Sequence, residues 1–579
     1  MDEFRCQIAE RFEHEGSLGE AWVRNFQIGS GQFAAAVKQQ VEIQGAGRIA
    51  IDATVATLGN FDLEQSIQQG FGMQGRGELN RTVEVETLGR WTDRFGFIEG
   101  RDGDDLDAFG RPQSGEPRSQ VGIAIAEIGT HRDEDLLFDR RTVHDRILQL
   151  QSSVVSAFAN LPPALVTPIP GPRSRALAQR LGAVECRNVI CVDPEPPIFW
   201  ERASGSNVWD IDGNRFVDLT AAFGVSNAGH AHPSISRAVA LQAKRLMHGL
   251  GDVHPTRVRL ELLEALVCHF PGGVPARAIL GSSGSDAVET ALETALLATG
   301  APGVVAFEGA YHGLSLGARD ATWRPVFREP FAARLPGLTA FARFGEAQDV
   351  RRAAGTCGAP VGAVIVEPIQ GRGGERIPPD GFLSDVRAIC SAEGWLLIAD
   401  EVYTGFGRTG RWFACDHEGV IPDLLCVAKG LASGMPISAC IGRAAIMDAW
   451  PVSDGEALRT QTFIGHPPSC AAALASIAVL EEEKLVERAA DLGVDALERL
   501  RERCDGRAEV REVRGRGLLL AVEVDTAERA NRVCVRALDA GLIVLPSGDD
   551  GRVISICPPL SIDRGLLELS IDLLIEAIA

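Results

Sequence analysis

Between about residue 230 and residue 450, short apolar runs alternate with helical stretches, and this pattern restricts the possible folds more than any other feature of the chain. The runs RAILG, GVVAF, GAVIVEP, WLLIADE and LLCVAKG are five to seven residues long. Each is short enough for a buried strand, and helical stretches alternate with them over this region. Strand–helix alternation of this kind predicts an α/β domain with a largely parallel sheet. In such sheets ligands bind beyond the carboxyl ends of the strands, so the residues that end these runs are the first to test for chemistry.

The flanking regions read differently. VWDIDGNRFVDL (208–219) is two short alternating strands around Asp212-Gly213, a hairpin signal. Residues 470–504 are strongly helical, and REVRGRGLLLAVEV, GLIVLPSG, RVISICPPL and a closing helix complete a smaller α+β layer. The expected divisions are an extension at 1–150, a Pro-rich linker at 151–172, an arm with the hairpin at 173–230, a large domain at 231–465 and a small domain at 466–579. The extension carries strand-like pieces (RIAIDATVATL, RTVEVETL) and a loop-like stretch at 99–120, but no chemical motif. A poorly ordered segment, a small accessory domain and a start codon placed too early all fit it.

A net charge of −21 argues against nucleic acid and anionic membrane surfaces as partners. No apolar run is long enough for a membrane span, and the acidic N-terminus does not resemble a secretory signal. The 13 cysteines are scattered without a CxxC pair, which suits a reduced cytoplasm and gives no metal site.

Lysine is scarce, occurring only at Lys38, Lys244, Lys429 and Lys484. Chemistry that needs a primary amine therefore has few candidates. Lys244 reads as a solvated helix position and Lys484 as part of a charged helix face. Lys429 follows the apolar run LLCVA and precedes GLASG, where burial would lower its pKa and small neighbours leave room for a bulky group. An ordinary surface lysine at a strand end is the plain alternative. Asp400 ends WLLIAD, and a buried carboxylate needs a partner. The protonated pyridine nitrogen of a ligand would serve, whereas a turn or cap aspartate is the plain reading. GSSGSDAVETALETALLATG (281–300) runs from strand to helix through Gly284 and Ser285, a phosphate cradle or simple capping chemistry. Tyr311, one of 2 tyrosines, follows GVVAF and offers a face for stacking on a planar ligand. His312 beside it is a base or, more plainly, a hydrogen-bonded structural histidine.

With these residues in place, the sequence closely resembles the class-III aminotransferases. The likeness runs from about residue 170 to 579 and includes, in order, NAGHAHP, GSSGSDAVETA, AYHG, VEPIQGRGG, LLIADEVYTGFGRTG, PDLLCVAKGLASGMPISA and QTFIGHPPSCAAALA. It implies a fold-type I pyridoxal-phosphate (PLP) transferase, with a large, mostly parallel domain and a smaller α+β C-terminal domain. Lys429 then corresponds to the Schiff-base lysine and proton shuttle, Asp400 to the pyridinium partner, and Gly284 and Ser285 to the phosphate loop. Tyr311 matches the stacking aromatic. Thr462 matches a threonine that reaches the neighbouring subunit's phosphate, which implies a homodimer. Phe223 and Glu367 match residues near the substrate.

The sequence departs from the family pattern in two places. Many members carry glutamine near the cofactor's ring hydroxyl where Tyr403 stands, and its phenol is expected to donate there instead. Members that bind an α-carboxylate commonly carry arginine at the place of Ser555. Without it, Glu367 is expected to attract an ammonium group and repel an α-carboxylate, unless Arg372 or Arg408 takes over. The expected activity is transfer of an amino group from an amine or ω-amino acid to a keto acid or aldehyde. The same scaffold serves decarboxylases, epimerases and aminomutases, and a non-enzymatic regulator is a further alternative.

Overall fold

The computed structural model describes residues 35–43, 47–55, 160–190 and 197–579. Two compact units divide the chain, Met1–Val143 and His144–Ala579. In the first unit, strands β1 (Ala35–Ile43) and β2 (Gly47–Val55) pair antiparallel, with Ile43 opposite Gly47. The expected strand in RTVEVETL and the loop at 99–120 lie outside the described residues.

The second unit begins with the Pro-rich stretch, which is pinned to the body rather than free. Ala164 exchanges both backbone hydrogen bonds with Arg215. Asn207 Oδ1 accepts from Leu161 N and Asn214 Oδ1 from Val166 N, each at 2.7 Å. Helix α1 (Pro172–Val184) follows, and Asp212 caps it by accepting from the backbone N–H groups of Arg173 and Ser174. Strands β3 (Trp200–Ser204), β4 (Asn207–Asp210) and β5 (Arg215–Asp218) form an antiparallel meander whose β4–β5 turn is the expected hairpin.

Helices α2 (Pro233–Arg245) and α3 (Arg257–Cys268) lead into the large sheet. Its elements in chain order are β6 (Ala276–Gly281), α4 (Gly284–Thr299), β7 (Gly303–Phe307), β8 (Thr339–Ala342), β9 (Val361–Val366), α5 (Phe382–Glu393), β10 (Leu396–Asp400), β11 (Leu424–Val427) and β12 (Ser438–Arg443). The spatial order is β6-β12-β11-β10-β9-β7-β8. Only β12 runs against the rest. About ten residues separate it from β11, fewer than a parallel crossover needs, so the chain turns straight back. Strands β9, β10 and β11 are buried almost throughout, because helices cover both faces of the sheet.

The C-terminal layer comprises helices α6 (Pro467–Glu482) and α7 (Leu485–Cys504), strands β13 (Val510–Arg516) and β14 (Leu519–Val524), helix α8 (Ala527–Asp539), strands β15 (Leu542–Ile543), β16 (Leu545–Ser547) and β17 (Val553–Ile556), and helix α9 (Arg564–Ile578). The single helical run expected at 470–504 breaks at Lys484, which is left-handed with φ 52° and sits at the N-cap of α7 rather than on a helix face. Strands β13-β14-β17-β16 form one sheet, while β15 pairs parallel with β5. The arm and the C-terminal layer thus share a sheet.

Among the described residues, no helix is long and apolar enough to cross a membrane, and no cluster of His, Cys, Asp or Glu could hold a metal ion.

Candidate active site

The carboxyl ends of the parallel strands β6, β7, β9, β10 and β11 deliver most of the residues singled out above. Strand β10 buries Leu397 and Ile398 completely and ends on Asp400, itself only 4% exposed. Each aliphatic residue contributes roughly 1.5–3 kcal/mol by burial, which offsets part of the cost of placing a carboxylate there. The carboxylate is also supplied with donors. His312 Nδ1 lies 2.7 Å from Asp400 Oδ2, and Val402 N donates to Oδ1 at 3.1 Å. A carboxylate has about four acceptor sites, so Asp400 keeps capacity for a ligand. His312 is therefore the structural histidine and orients Asp400. Burial lowers its pKa, but the hydrogen bond and charge of Asp400 overcome this and hold the imidazole above its ordinary value. The His312–Asp400 pairing escapes sequence reasoning, because 88 residues separate the partners.

Strand β11 ends at Val427, two residues before Lys429, whose φ of 40° is unusual for a side-chain-bearing residue. Such strain persists only where the surroundings enforce it. Lys429 Nζ rests 4.1 Å from the centroid of the Tyr403 ring. Burial lowers its pKa to about 8, with the charges of Asp400 and Glu367 pulling it partly back. The Tyr403 ring also lies against Gly224 and Gly371. Its hydroxyl meets the Cys557 side chain, so the phenol expected to donate to a ring hydroxyl is already engaged. What Tyr403 offers the site is its ring face.

At the end of β6, Ser283 caps α4, its hydroxyl accepting from Asp286 N at 3.3 Å. Gly284 and Ser285 form the first turn of this 16-residue helix. A Cβ on Gly284 would come within 2.8 Å of Val402 Cγ1, so glycine lets the helix start press against the turn after Asp400. Ser285 Oγ accepts from Leu314 N at 3.0 Å and keeps its own proton free to donate. A Cβ on Gly313 would fall 1.9 Å from Ser285 Oγ, and φ there is 120°, so this turn too requires glycine. An α-helix N-terminus with a free hydroxyl is suited to an anion.

Beyond β7, Tyr311 packs edge-to-face on Phe327 at 5.5 Å. Glu367, just past β9, fixes this loop. Its Oε1 accepts from Tyr311 N at 2.7 Å and its Oε2 from Gly371 N at 2.9 Å. Burial raises its pKa to about 7, against the charge of His312 and these two N–H donors. Each oxygen takes one backbone N–H, so Glu367 holds the Tyr311 and Gly371 loops together.

The place of Ser555 is also occupied. Ser555 Oγ and Ser547 Oγ donate to the two oxygens of Glu375, at 2.6 and 2.7 Å. Glu375 is buried at φ 46°, and burial raises its pKa to about 7. Of the arginines considered as replacements, Arg408 is fully buried and donates to Leu518 O, Pro558 O and Asn227 Oδ1. It is part of the scaffold. Arg372 is exposed near Tyr311.

Phe223 projects from the strained run Ala221–Phe223, where all three φ angles are positive, and is 57% exposed. Asp218 holds this run by accepting from Thr220 N and Ala222 N while paired with His230 at 2.7 Å. Thr462 is exposed and makes no hydrogen bond within the described chain, whereas its neighbour Gln461 bonds Ser282 and Asp286 at the start of α4.

A buried amine that is partly neutral, a buried carboxylate with an orienting histidine, and a helix N-terminus suited to a phosphate converge at one sheet edge. Together they define a fold-type I PLP-dependent enzyme, and the residues fit the cofactor's aldehyde, ring nitrogen and phosphate. The class-III aminotransferase profile matches residues 191–578. Similar proteins include the acetylornithine aminotransferase of Methanopyrus kandleri, 40% identical over 66% of this chain and 94% of that protein. The 4-aminobutyrate aminotransferase of Mycobacterium leprae is 37% identical over 71% and 96%. The ornithine aminotransferase structure from Toxoplasma gondii superposes with a TM-score of 0.64 at 31% identity, covering 70% of this chain and 94% of that one. The chain belongs to the class-III aminotransferase family, and it is a PLP-dependent enzyme that transfers amino groups.

Proposed function

We propose that this aminotransferase works as a cytoplasmic homodimer, taking the amino group from an amine or ω-amino acid and passing it to a keto acid or aldehyde. The observation that carries the reading is the meeting of the Lys429 amine, Asp400 with its His312, and the α4 N-terminus at the carboxyl edge of the sheet. A 5-aminovalerate aminotransferase of Pseudomonas aeruginosa, 38% identical over 66% of this chain, supports the donor class.

When bound, PLP supplies an aldehyde that condenses with amines and a protonated ring that takes up the electron pair left when a donor C–H bond breaks. Lys429 Nζ is the amine that would hold the cofactor covalently. This amine, neutral in useful proportion at a pKa of about 8, would also take and return the donor's proton. Asp400 keeps the ring nitrogen protonated, and His312 keeps Asp400 in line. Gly284 N–H and the Ser285 hydroxyl would hold the phosphate, and Thr462 of one protomer would complete that site in its partner. Tyr311 would cover one ring face, Tyr403 supports the lysine, and Phe223 would line the entrance. The same groups serve both half-reactions, so ping-pong kinetics follow.

The test is to incubate the holoenzyme with an amine donor and pyruvate. A transaminase converts one pyruvate to alanine per donor consumed. A donor consumed without any acceptor, with release of carbon dioxide or isomerisation, would make the protein a decarboxylase, epimerase or aminomutase instead.

A further inference from the structure

Among the described residues, Arg514, the buried arginine beside Glu375, is committed to Glu512, Glu523 and the Gly374 carbonyl. Around Ser555 stands a second buried acid, Glu375, and Arg408 is committed to backbone carbonyls and Asn227. The entrance differs. The Arg372 guanidinium carbon lies 5.4 Å from the Tyr311 ring centroid and 5.5 Å from that of Phe327. Its backbone is fixed, since its carbonyl accepts from Arg324 Nη2 at 2.9 Å and from Gly548 N at 3.2 Å. The preceding residue, Gly371, donates to Glu367, the same carboxylate that holds Tyr311. Two neighbouring arginines, Arg324 and Arg376, are both paired with Asp549. Arg372 has no such partner: among the described residues no carboxylate lies within ion-pair distance of it.

We propose that Arg372 is the carboxylate anchor of this enzyme, holding the far end of an amine donor whose reacting amine lies at Lys429. Aromatic rings on which a guanidinium rests keep it in place without neutralising it. Its charge is also felt at Lys429 and Tyr311, which places it within electrostatic reach of the reacting amine. A guanidinium fork matches one planar carboxylate in a bidentate pair. A phosphate dianion would call for more cations, and the nearby Arg324 and Arg376 are already paired with Asp549. The donors selected therefore carry a terminal carboxylate several bonds from the amine. This assignment rests on the donor class proposed above.

Two readouts on the holoenzyme test it. The first is the ratio of KM for 5-aminovalerate to KM for pentylamine, which lacks only the carboxylate. Arg372→Leu should raise that ratio about tenfold or more, Arg372→Lys should restore part of it, and added salt should shrink the wild-type preference. The second is calorimetric binding of 5-hydroxypentanoate, a carboxylate with no amine to react. Arg372→Leu should weaken it about tenfold. This reading is independent of turnover, so it tests Arg372 even if the proposed donor class is wrong. Equal KM changes for both donors, or unchanged binding of the hydroxy acid, would overturn the assignment.

Discussion

The depressed pKa of Lys429 should set the pH dependence of cofactor capture. Only the neutral amine attacks the cofactor's aldehyde. An ordinary lysine with a pKa of 10.5 is neutral in about one molecule in 300 at pH 8, whereas an amine at about 8 is half neutral. Capture by the apoprotein should therefore run on the order of 100-fold faster at pH 8 than exposed-lysine chemistry allows. The rate, followed by absorbance after mixing with PLP, should rise from about pH 6 and level off above about pH 8. The same difference bears on stability. Because the folded pKa lies below the unfolded one, the charged lysine weakens the fold below about pH 8, by roughly 3 kcal/mol at most. That cost fades as pH rises from about 8 towards 10.5. Lys429→Met should accordingly stabilise the apoprotein in urea unfolding at neutral pH and lose its advantage in alkali. A capture rate that keeps climbing towards pH 10, about the ordinary lysine value, would refute the reasoning.

Other residues carry further expectations. In Glu367→Gln an amide NH2 faces a backbone N–H, so one buried donor loses its acceptor at about 1–3 kcal/mol, and positioning of the Tyr311 loop should suffer in KM. Folded Glu367 holds its proton to about pH 7 against an ordinary 4.5, so the wild type should lose stability faster than the Gln variant as pH rises through that window. His312→Ala strips Asp400 of its side-chain donor. It should lower stability by about 3 kcal/mol in urea titration and weaken PLP binding, and an unchanged PLP affinity would argue against the orienting role. A chain lacking residues 1–143 should still bind PLP and transaminate. Removing residues up to 171 also deletes the Ala164–Arg215 pair and the bonds from Asn207 and Asn214, at about 1 kcal/mol each, and should lower Tm further.

The strand exits were legible in the sequence because both-sided burial turns each parallel strand into a short apolar run, and the residue after the run marks the site edge. Lys429 and Asp400 stood out for that reason. Strand β12, SACIGR, escaped because small residues carry little hydrophobic signal, and β8, TAFA, because four residues fall below the length that periodicity resolves. The helix break at Lys484 was hidden because a left-handed residue leaves no mark in a run of helix formers. The Pro-rich stretch read as a connector because composition does not reveal that Asn207 and Asn214 will take up its backbone N–H groups. Partners distant in the chain were the chief omission: His312 with Asp400, Ser555 with Glu375, and Tyr403 with Cys557 meet only once the sheets have formed. A buried acid beside Ser555 was not foreseeable from RVISICPPL alone.

The central claim is that Lys429 holds the cofactor, and borohydride tests it most directly, because reduction fixes PLP irreversibly on whichever amine carries it. After reduction, digestion and mass spectrometry, the account predicts one labelled peptide, the one containing Lys429, and no label in Lys429→Ala. A label on Lys38, Lys244 or Lys484 would contradict it.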